Sequence, residues 1–305
     1  MKYIVGREFE KLDNTVITIG KFDCLHRGHQ KLVNEIKEDN NGEHLTTILF
    51  TFEQSDSKGY VYLEDERRRI VERLGLDVMI VYPFDEITRN MEAEEFVKSV
   101  LIDKLGAKKI VVGSDFCFGK DRLGNATFLD NLSKKYEYQL VVCDMESAHD
   151  NRIIGSALIR EELGKSHIEY VEECLGRPYS ISGIVVQGRQ LGRTMGFPTI
   201  NIDVPEGKVV PSNGVYESEV VFRGFKKEDA IRKRYIGLTN IGNKPTIAEG
   251  LEINVETYIF DFNKDVYGEE VEVYLKRYIR PEMKFSGIEE LKYKLEEDKK
   301  LIKSL

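Results

Sequence analysis

The sequence predicts an α/β chain in two parts, a parallel sheet wrapped by helices and then a small barrel or sandwich. Three observations predict it. Between residues 15 and 143, short apolar runs alternate with segments whose apolar residues recur every three or four positions, as strands joined by crossover helices do. After residue 180, six β-rich runs follow one another with no helical pattern between them. The two regimes are separated at Gly176-Arg177-Pro178, and 305 residues are enough for two cores.

In the first part the expected strands are 15–19, 45–51, 78–82, 109–112 and 139–143, each short and apolar. The intervening stretches 28–39, 63–74, 92–105 and 126–136 have helical spacing. A further helical stretch runs through Val171 and Leu175 to the break, which sets the expected domains at 1–176 and 177–305. In the second part the strands are 182–187, 199–204, 214–222, 235–239, 253–262 and 270–278. The tail from Gly287 carries Ile288, Leu291, Leu295 and Ile302 among charges, which predicts a closing amphipathic helix.

Composition narrows the function classes. The chain is 41% hydrophobic with no run of eighteen apolar residues, so neither disorder nor a membrane span is expected. The N-terminus reaches Lys2 and Arg7 too early for a signal sequence, and a cytoplasmic protein is expected. Cys24, Cys117, Cys143 and Cys174 form no CxxC pair, which predicts buried free thiols rather than a zinc ribbon or redox dithiol. A net charge of -8 argues against a nucleic-acid partner. Anionic ligands must then be held by local devices, and a homo-oligomer stays open.

The strand 15–19 runs into Gly20-Lys21-Phe22-Asp23-Cys24-Leu25-His26-Arg27-Gly28-His29, after which a helix begins. Such a turn aims backbone N–H groups and a helix N-terminus at one spot, which suits a phosphate. Gly28 allows close approach, and His26 and His29 can both donate to phosphate oxygens that gain charge during displacement. Two other readings of the same residues stay open: Cys24, His26 and His29 as metal ligands, or the histidines as helix caps. GxGxxG is absent, and residues 113–121 have the wrong spacing for a P-loop.

In the second part, Gly188, Gly192 and Gly196 stand at four-residue spacing in a loop that also carries Arg193. Little side-chain bulk lets its N–H groups wrap phosphates. Thr199 and Asn201 follow two apart on a strand, facing the same way, and their oxygens suit a Mg²⁺ that bridges ATP phosphates. Alternation along 253–262 puts Glu256, Tyr258 and Phe260 on one face and Val255, Thr257 and Ile259 on the other.

GKFDCLHRGH resembles the GxFDxxHxGH signature of nucleotidyltransferases, and Gly188 to Asn201 is similar to the riboflavin kinase signature GRxxGFPTxN. With Gly113-Ser-Asp115-Phe116-Cys-Phe118-Gly119-Lys120, Ile154-Gly-Ser156-Ala-Leu-Ile159-Arg160, Asn240-Ile-Gly242 and Arg280-Pro-Glu282-Met-Lys-Phe285 in order, nearly the whole chain resembles the prokaryotic bifunctional riboflavin kinase/FAD synthetase family. The resemblance implies a Rossmann-like nucleotidyltransferase domain and a six-stranded β-barrel kinase domain with a closing helix. It implies phosphorylation of riboflavin to FMN and adenylylation of FMN to FAD, with ATP and Mg²⁺.

It also implies roles. Gly20, Phe22, His26, Gly28, His29, Ser156 and Arg160 would serve the adenylylating ATP. Asp115, Phe116 and Phe118 would lie near its flavin. Gly188, Gly192, Arg193 and Gly196 would hold the kinase ATP, Thr199 and Asn201 the metal, and Arg280, Glu282 and Phe285 would close the flavin site. Glu256 would be the catalytic base. The chain departs from the pattern at Cys24, at Cys117, at Gly155 and Ala157 where hydroxyls are expected, and after residue 51, where a longer proline-containing loop is usual. The missing hydroxyls predict FAD formation that is present but slower. A monofunctional kinase and a flavin-responsive regulatory protein are the alternatives.

Overall fold

The computed structural model describes residues 1–38, 44–53, 58–188, 197–223, 233–245 and 251–303. They form two compact units, Met1–Ser156 and Ala157–Leu305. No helix among them is long and apolar enough to cross a membrane.

The first unit is a six-stranded sheet with order β1-β4-β3-β2-β5-β8, parallel throughout. Its strands are β1 (Lys2–Val5), β2 (Thr15–Ile19), β3 (Thr46–Phe52), β4 (Val78–Tyr82), β5 (Ala107–Gly113) and β8 (Gln139–Cys143), with a small hairpin of β6 (Cys117–Phe118) and β7 (Gly124–Asn125). The helices are α1 (Arg27–Lys37), α2 (Glu64–Leu74), α3 (Glu86–Asn90), α4 (Ala93–Glu95) running into a π-helical stretch Phe96–Lys104, and α5 (Ala126–Tyr136). Every residue of β2 and β4 is buried, as the apolar runs require of strands covered on both faces. Ile17, Ile48, Phe50, Ile80, Val97 and Leu101 meet in one core.

The chain leaves β2 for β3 on one side and returns to β5 on the other, so the strand order reverses beside β2. In parallel α/β sheets, ligands bind outside the carboxyl ends of the strands at such a switch point. The loops after β2 and β5 are the ones the sequence analysis singles out.

The second unit starts with α6 (Ser156–Gly164), which straddles the division, and α7 (Ile168–Leu175). A closed antiparallel barrel of order β10-β13-β12-β11-β14-β9 follows, made of β9 (Tyr179–Val186), β10 (Thr199–Asp203), β11 (Gly214–Phe222), β12 (Tyr235–Pro245), β13 (Leu251–Ile259) and β14 (Glu270–Arg280). The helix α8 (Ile288–Lys303) ends the chain. The barrel face that meets α8 carries Val215, Leu238, Tyr258 and Phe260 against Ile302 and Leu295. The opposite face is the interior, where Ser218, Thr239 and Thr257 are fully buried and joined by hydroxyl hydrogen bonds of 2.8 and 2.9 Å.

Several details correct the sequence reading. β1 is an edge strand that was not expected. β9 starts at Tyr179 because the chain becomes extended directly after Pro178, and β12 runs on to Pro245. Cys24, Cys143 and Cys174 are buried, but Cys117 is exposed, lying on the outward face of the two-residue strand β6. Segment 157–176 sends α7 against β9 and β14, with Ile168, Val171, Cys174 and Leu175 all fully buried.

Candidate active sites

In the first unit the chain turns sharply after β2. Phe22 and Leu25 adopt left-handed backbone with φ of 44° and 47°, each costing about 1–3 kcal/mol for a non-glycine residue. Complete burial of Phe22, Cys24 and Leu25 holds the turn in place. Gly20 ends β2, and His26 stands at the N-cap of α1, its Nδ1 accepting from the His29 backbone N–H at 3.3 Å. A neutral imidazole that accepts at Nδ1 carries its proton on Nε2. The cap therefore sets the tautomer that donates to an anion. His26 and His29 stack at 3.7 Å with planes 16° apart, and the Phe22 ring backs His29 at 4.8 Å. A Cβ on Gly28 would lie 3.2 Å from the His26 ring, so that position has little room for a side chain.

The capping and phosphate readings thus describe one geometry. The ligand atoms of Cys24, His26 and His29 all lie within 4.8 Å of one another, so the trio has the donors for a metal ion. A metal on His26 Nε2 would force the ring proton to Nδ1 and break the cap, whereas an anion there leaves the cap intact.

The other singled-out residues of this unit are less uniform. Asp115 is exposed on the turn after β5. Phe116 is half-buried and stacks on Phe118 at 5.3 Å, while Phe118 itself belongs to the core. Ser156 opens α6, and Arg160 lies one turn further along.

In the barrel, strand pairing builds the site. Asn201 on β10 lies directly opposite Glu256 on β13, which lies directly opposite Asn240 on β12. These three side chains form a polar row on the barrel's outer face, since directly paired residues share a face. Thr199, two residues along β10, donates its hydroxyl to Glu256 at 2.5 Å. A threonine that donates its proton there keeps its lone pairs for a cation. A Cβ on Gly188 would lie 2.1 Å from the Asn201 amide, so any larger residue there would displace that side chain. Thr199, Asn201 and Gly188 face a cleft of about 200 Å³ whose far wall includes Lys264 and Tyr267. Gly192, Arg193 and Gly196 lie outside the described residues.

The row continues into the segment after β14. Glu282 accepts from Asn240 and Asn213, each at 3.2 Å, and stands over Gly242. Arg280 places its guanidinium 5.9 Å from the centre of the Phe285 ring and pairs with the buried Asp298 of α8 at 2.9 Å. Sequence reasoning missed Asn213 and Asn240 as site residues. Both belong to segments that the resemblance covers, but each is a lone amide whose neighbour is distant in sequence: Asn240 meets Glu256 through strand register, and Asn213 meets Glu282 where the segments flanking β11 and β14 come together.

The chain thus carries two candidate sites, an anion-suited turn in the parallel-sheet unit and a polar row on the outer face of the barrel unit. Residues 8–157 match the family model for FAD synthetase, and residues 175–305 match that for riboflavin kinase. The bifunctional riboflavin kinase/FMN adenylyltransferase of Buchnera aphidicola subsp. Schizaphis graminum is 33% identical over 99% of this chain and 98% of its own. Its counterpart in Escherichia coli K12 is 31% identical over 94% and 91%. A crystal structure described as a macrolide-efflux protein from Streptococcus pneumoniae superposes with a TM-score of 0.87 over 100% of both chains at 26% identity. The chain belongs to the bifunctional riboflavin kinase/FMN adenylyltransferase family. It converts riboflavin to FMN and FMN to FAD, with ATP as co-substrate of both steps.

Proposed function

We propose that Glu256 is the base of the kinase reaction and that His26 and His29 serve adenylyl transfer. The observation that carries the first assignment is the row Asn201–Glu256–Asn240 with the Thr199 hydroxyl on Glu256. The terminal ribityl hydroxyl of riboflavin gives its proton to the Glu256 carboxylate as its oxygen attacks the γ-phosphorus. The bond from that phosphorus to the β-phosphate oxygen breaks and ADP leaves. Thr199 and Asn201 offer hard oxygen donors beside Gly188, a set that fits Mg²⁺. When bound, the ion supplies charge neutralisation for the phosphates. Arg280, Glu282 and Phe285 close over the flavin, with Asn240 tying Glu282 to the row.

In the first unit, a phosphate oxygen of FMN attacks the α-phosphorus of ATP and pyrophosphate leaves. His26, with its proton on Nε2, and His29 donate to the phosphate oxygens, and the amides around Gly20, Phe22 and Gly28 complete the cradle. Ser156 and Arg160 add donors to the triphosphate, and Asp115, Phe116 and Phe118 border the flavin. No protein nucleophile is needed. We place the kinase domain proper at 177–305, with α7 as its brace, and the adenylylating domain before it. The protein works in the cytoplasm, where ATP and Mg²⁺ are supplied, without a nucleic-acid partner.

The test is chromatography of riboflavin, FMN and FAD from reactions with ATP and Mg²⁺. Glu256→Gln lowers FMN formation by about a hundredfold to ten-thousandfold while FAD still forms from supplied FMN. His29→Ala abolishes FAD formation and spares FMN formation. Retention of either targeted activity removes that residue from its role.

A further inference from the structure

Among the described residues, the largest fully buried side chain is an arginine, Arg67 on α2. Burying a guanidinium is costly unless hydrogen bonds and nearby charges compensate it. Its Nη1 donates to the Lys21 carbonyl at 3.2 Å and lies 3.4 Å from the Thr51 hydroxyl at the end of β3. Thr51 itself donates to the same Lys21 carbonyl at 2.8 Å. Among the described residues, Arg67 Nε and Nη2 have no hydrogen-bond partner. Glu64 on its own helix and Asp23 in the turn after β2 both favour its charge, against a burial that pushes its pKa down. Arg67 thus bears on the turn through the Lys21 carbonyl.

The peptide plane that Arg67 and Thr51 fix is the one leading into Phe22. Phe22 takes the left-handed conformation there, and its ring backs His29. We propose that Arg67, seconded by Thr51, is a positioning residue for adenylyl transfer: by holding the Lys21 carbonyl it keeps the strained turn, and through Phe22 the His29 ring, in register with the phosphates. Arg67 touches no substrate in this scheme. The inference rests on the assignment of His29 to adenylyl transfer.

The experiment compares Arg67→Met, Arg67→Lys and Thr51→Val with His29→Ala in the full chain, measuring kcat and KM for FMN in FAD formation, with FMN formation from riboflavin as internal control. Arg67→Met fills the volume without a donor and lowers kcat for FAD about 10- to 100-fold, the scale of a 1 Å misplacement, with KM for FMN within about twofold. Arg67→Lys returns a charged donor to Lys21 and recovers part of the loss. Thr51→Val, nearly isosteric, lowers kcat about threefold to tenfold, and the double variant falls by less than the product of the singles because both act on one carbonyl. FMN formation stays at the parental rate. Should Arg67→Met fail to fold, as circular dichroism would report, Thr51→Val alone decides. Parental kcat for FAD in folded Thr51→Val and Arg67→Met overturns the proposal, as does a loss confined to KM. Parental FAD formation in His29→Ala instead sinks the underlying site assignment.

Discussion

At His26 the proposed chemistry rests on a local structural bond. Its Nδ1 closes the first turn of α1, and that bond directs the ring proton to the side where a phosphate is expected. The sequence made the turn after β2 legible because strand, glycine and two histidines fall in one ten-residue stretch. The barrel site was legible only in part. Thr199, Asn201 and Glu256 follow from a two-residue period, whereas Asn240 joins them through cross-strand register, which no local pattern records. The departures from the family pattern give a residue-scale prediction. A Cβ on Gly155 would meet nothing within 4 Å, and Ala157 is exposed, so Gly155→Ser and Ala157→Thr are tolerated by the fold. Restoring two hydroxyl donors to the triphosphate raises FAD formation, up to the factor of about 10² to 10³ that one transition-state donor can contribute. A rate of FAD formation from supplied FMN equal to that of the parent would mean that other donors already fill the role.

At the scale of elements, the closing helix is held by two different kinds of polar contact. Arg280 and Asp298 are both largely buried, with side chains 12% and 3% exposed. Removing one partner of such a pair leaves the other charge uncompensated, so Asp298→Ala costs about 3–5 kcal/mol, measured as a lower urea midpoint of the barrel unit. It also raises KM for riboflavin, because Arg280 loses the anchor that sets it against Phe285. Asp261 is different. Hydrogen bonds from Lys303 and then Lys299 hold its carboxyl below the usual carboxylate range, but the group is at the surface. A depressed pKa contributes stability above the ordinary carboxylate range and loses it as pH falls through the lowered value. Asp261→Asn therefore flattens the fall of the urea midpoint below pH 4 and changes it little at pH 7, by far less than Asp298→Ala moves it there. An equal effect of the two substitutions at pH 7 would contradict this division. The helix itself was legible from its apolar spacing. β1 was not, because a four-residue edge strand with only Ile4 buried looks like any charged terminus.

For the molecule as a whole, the sequence told apart a crossover sheet and a meander of strands because their hydrophobic periods differ. What it could not carry is how α7 is shared out, since an amphipathic helix beside a boundary can cover either core. The burial of Ile168, Val171, Cys174 and Leu175 yields a prediction. A fragment of residues 157–305 phosphorylates riboflavin at the rate of the full chain. One beginning at Arg177 keeps the same kcat but melts lower, since each large apolar side chain lost from the interface removes about 1.5–3 kcal/mol. Differential scanning calorimetry with a kinase assay reads both quantities, and equal melting of the two fragments would show that α7 contributes nothing to the barrel.

The pairing of Asn201, Glu256 and Asn240 has a consequence for folding itself. Side chains alternate with a period of two, so a slip of β13 by one residue against β10 and β12 would turn Glu256 into the barrel interior and bring Thr257 or Val255 to the surface. Such a barrel would still be all β, and far-ultraviolet circular dichroism would hardly tell it from the native one, yet it could not phosphorylate riboflavin. After refolding from denaturant, recovered kinase turnover therefore counts the correctly registered molecules, and any excess of recovered ellipticity over recovered turnover measures the misaligned fraction.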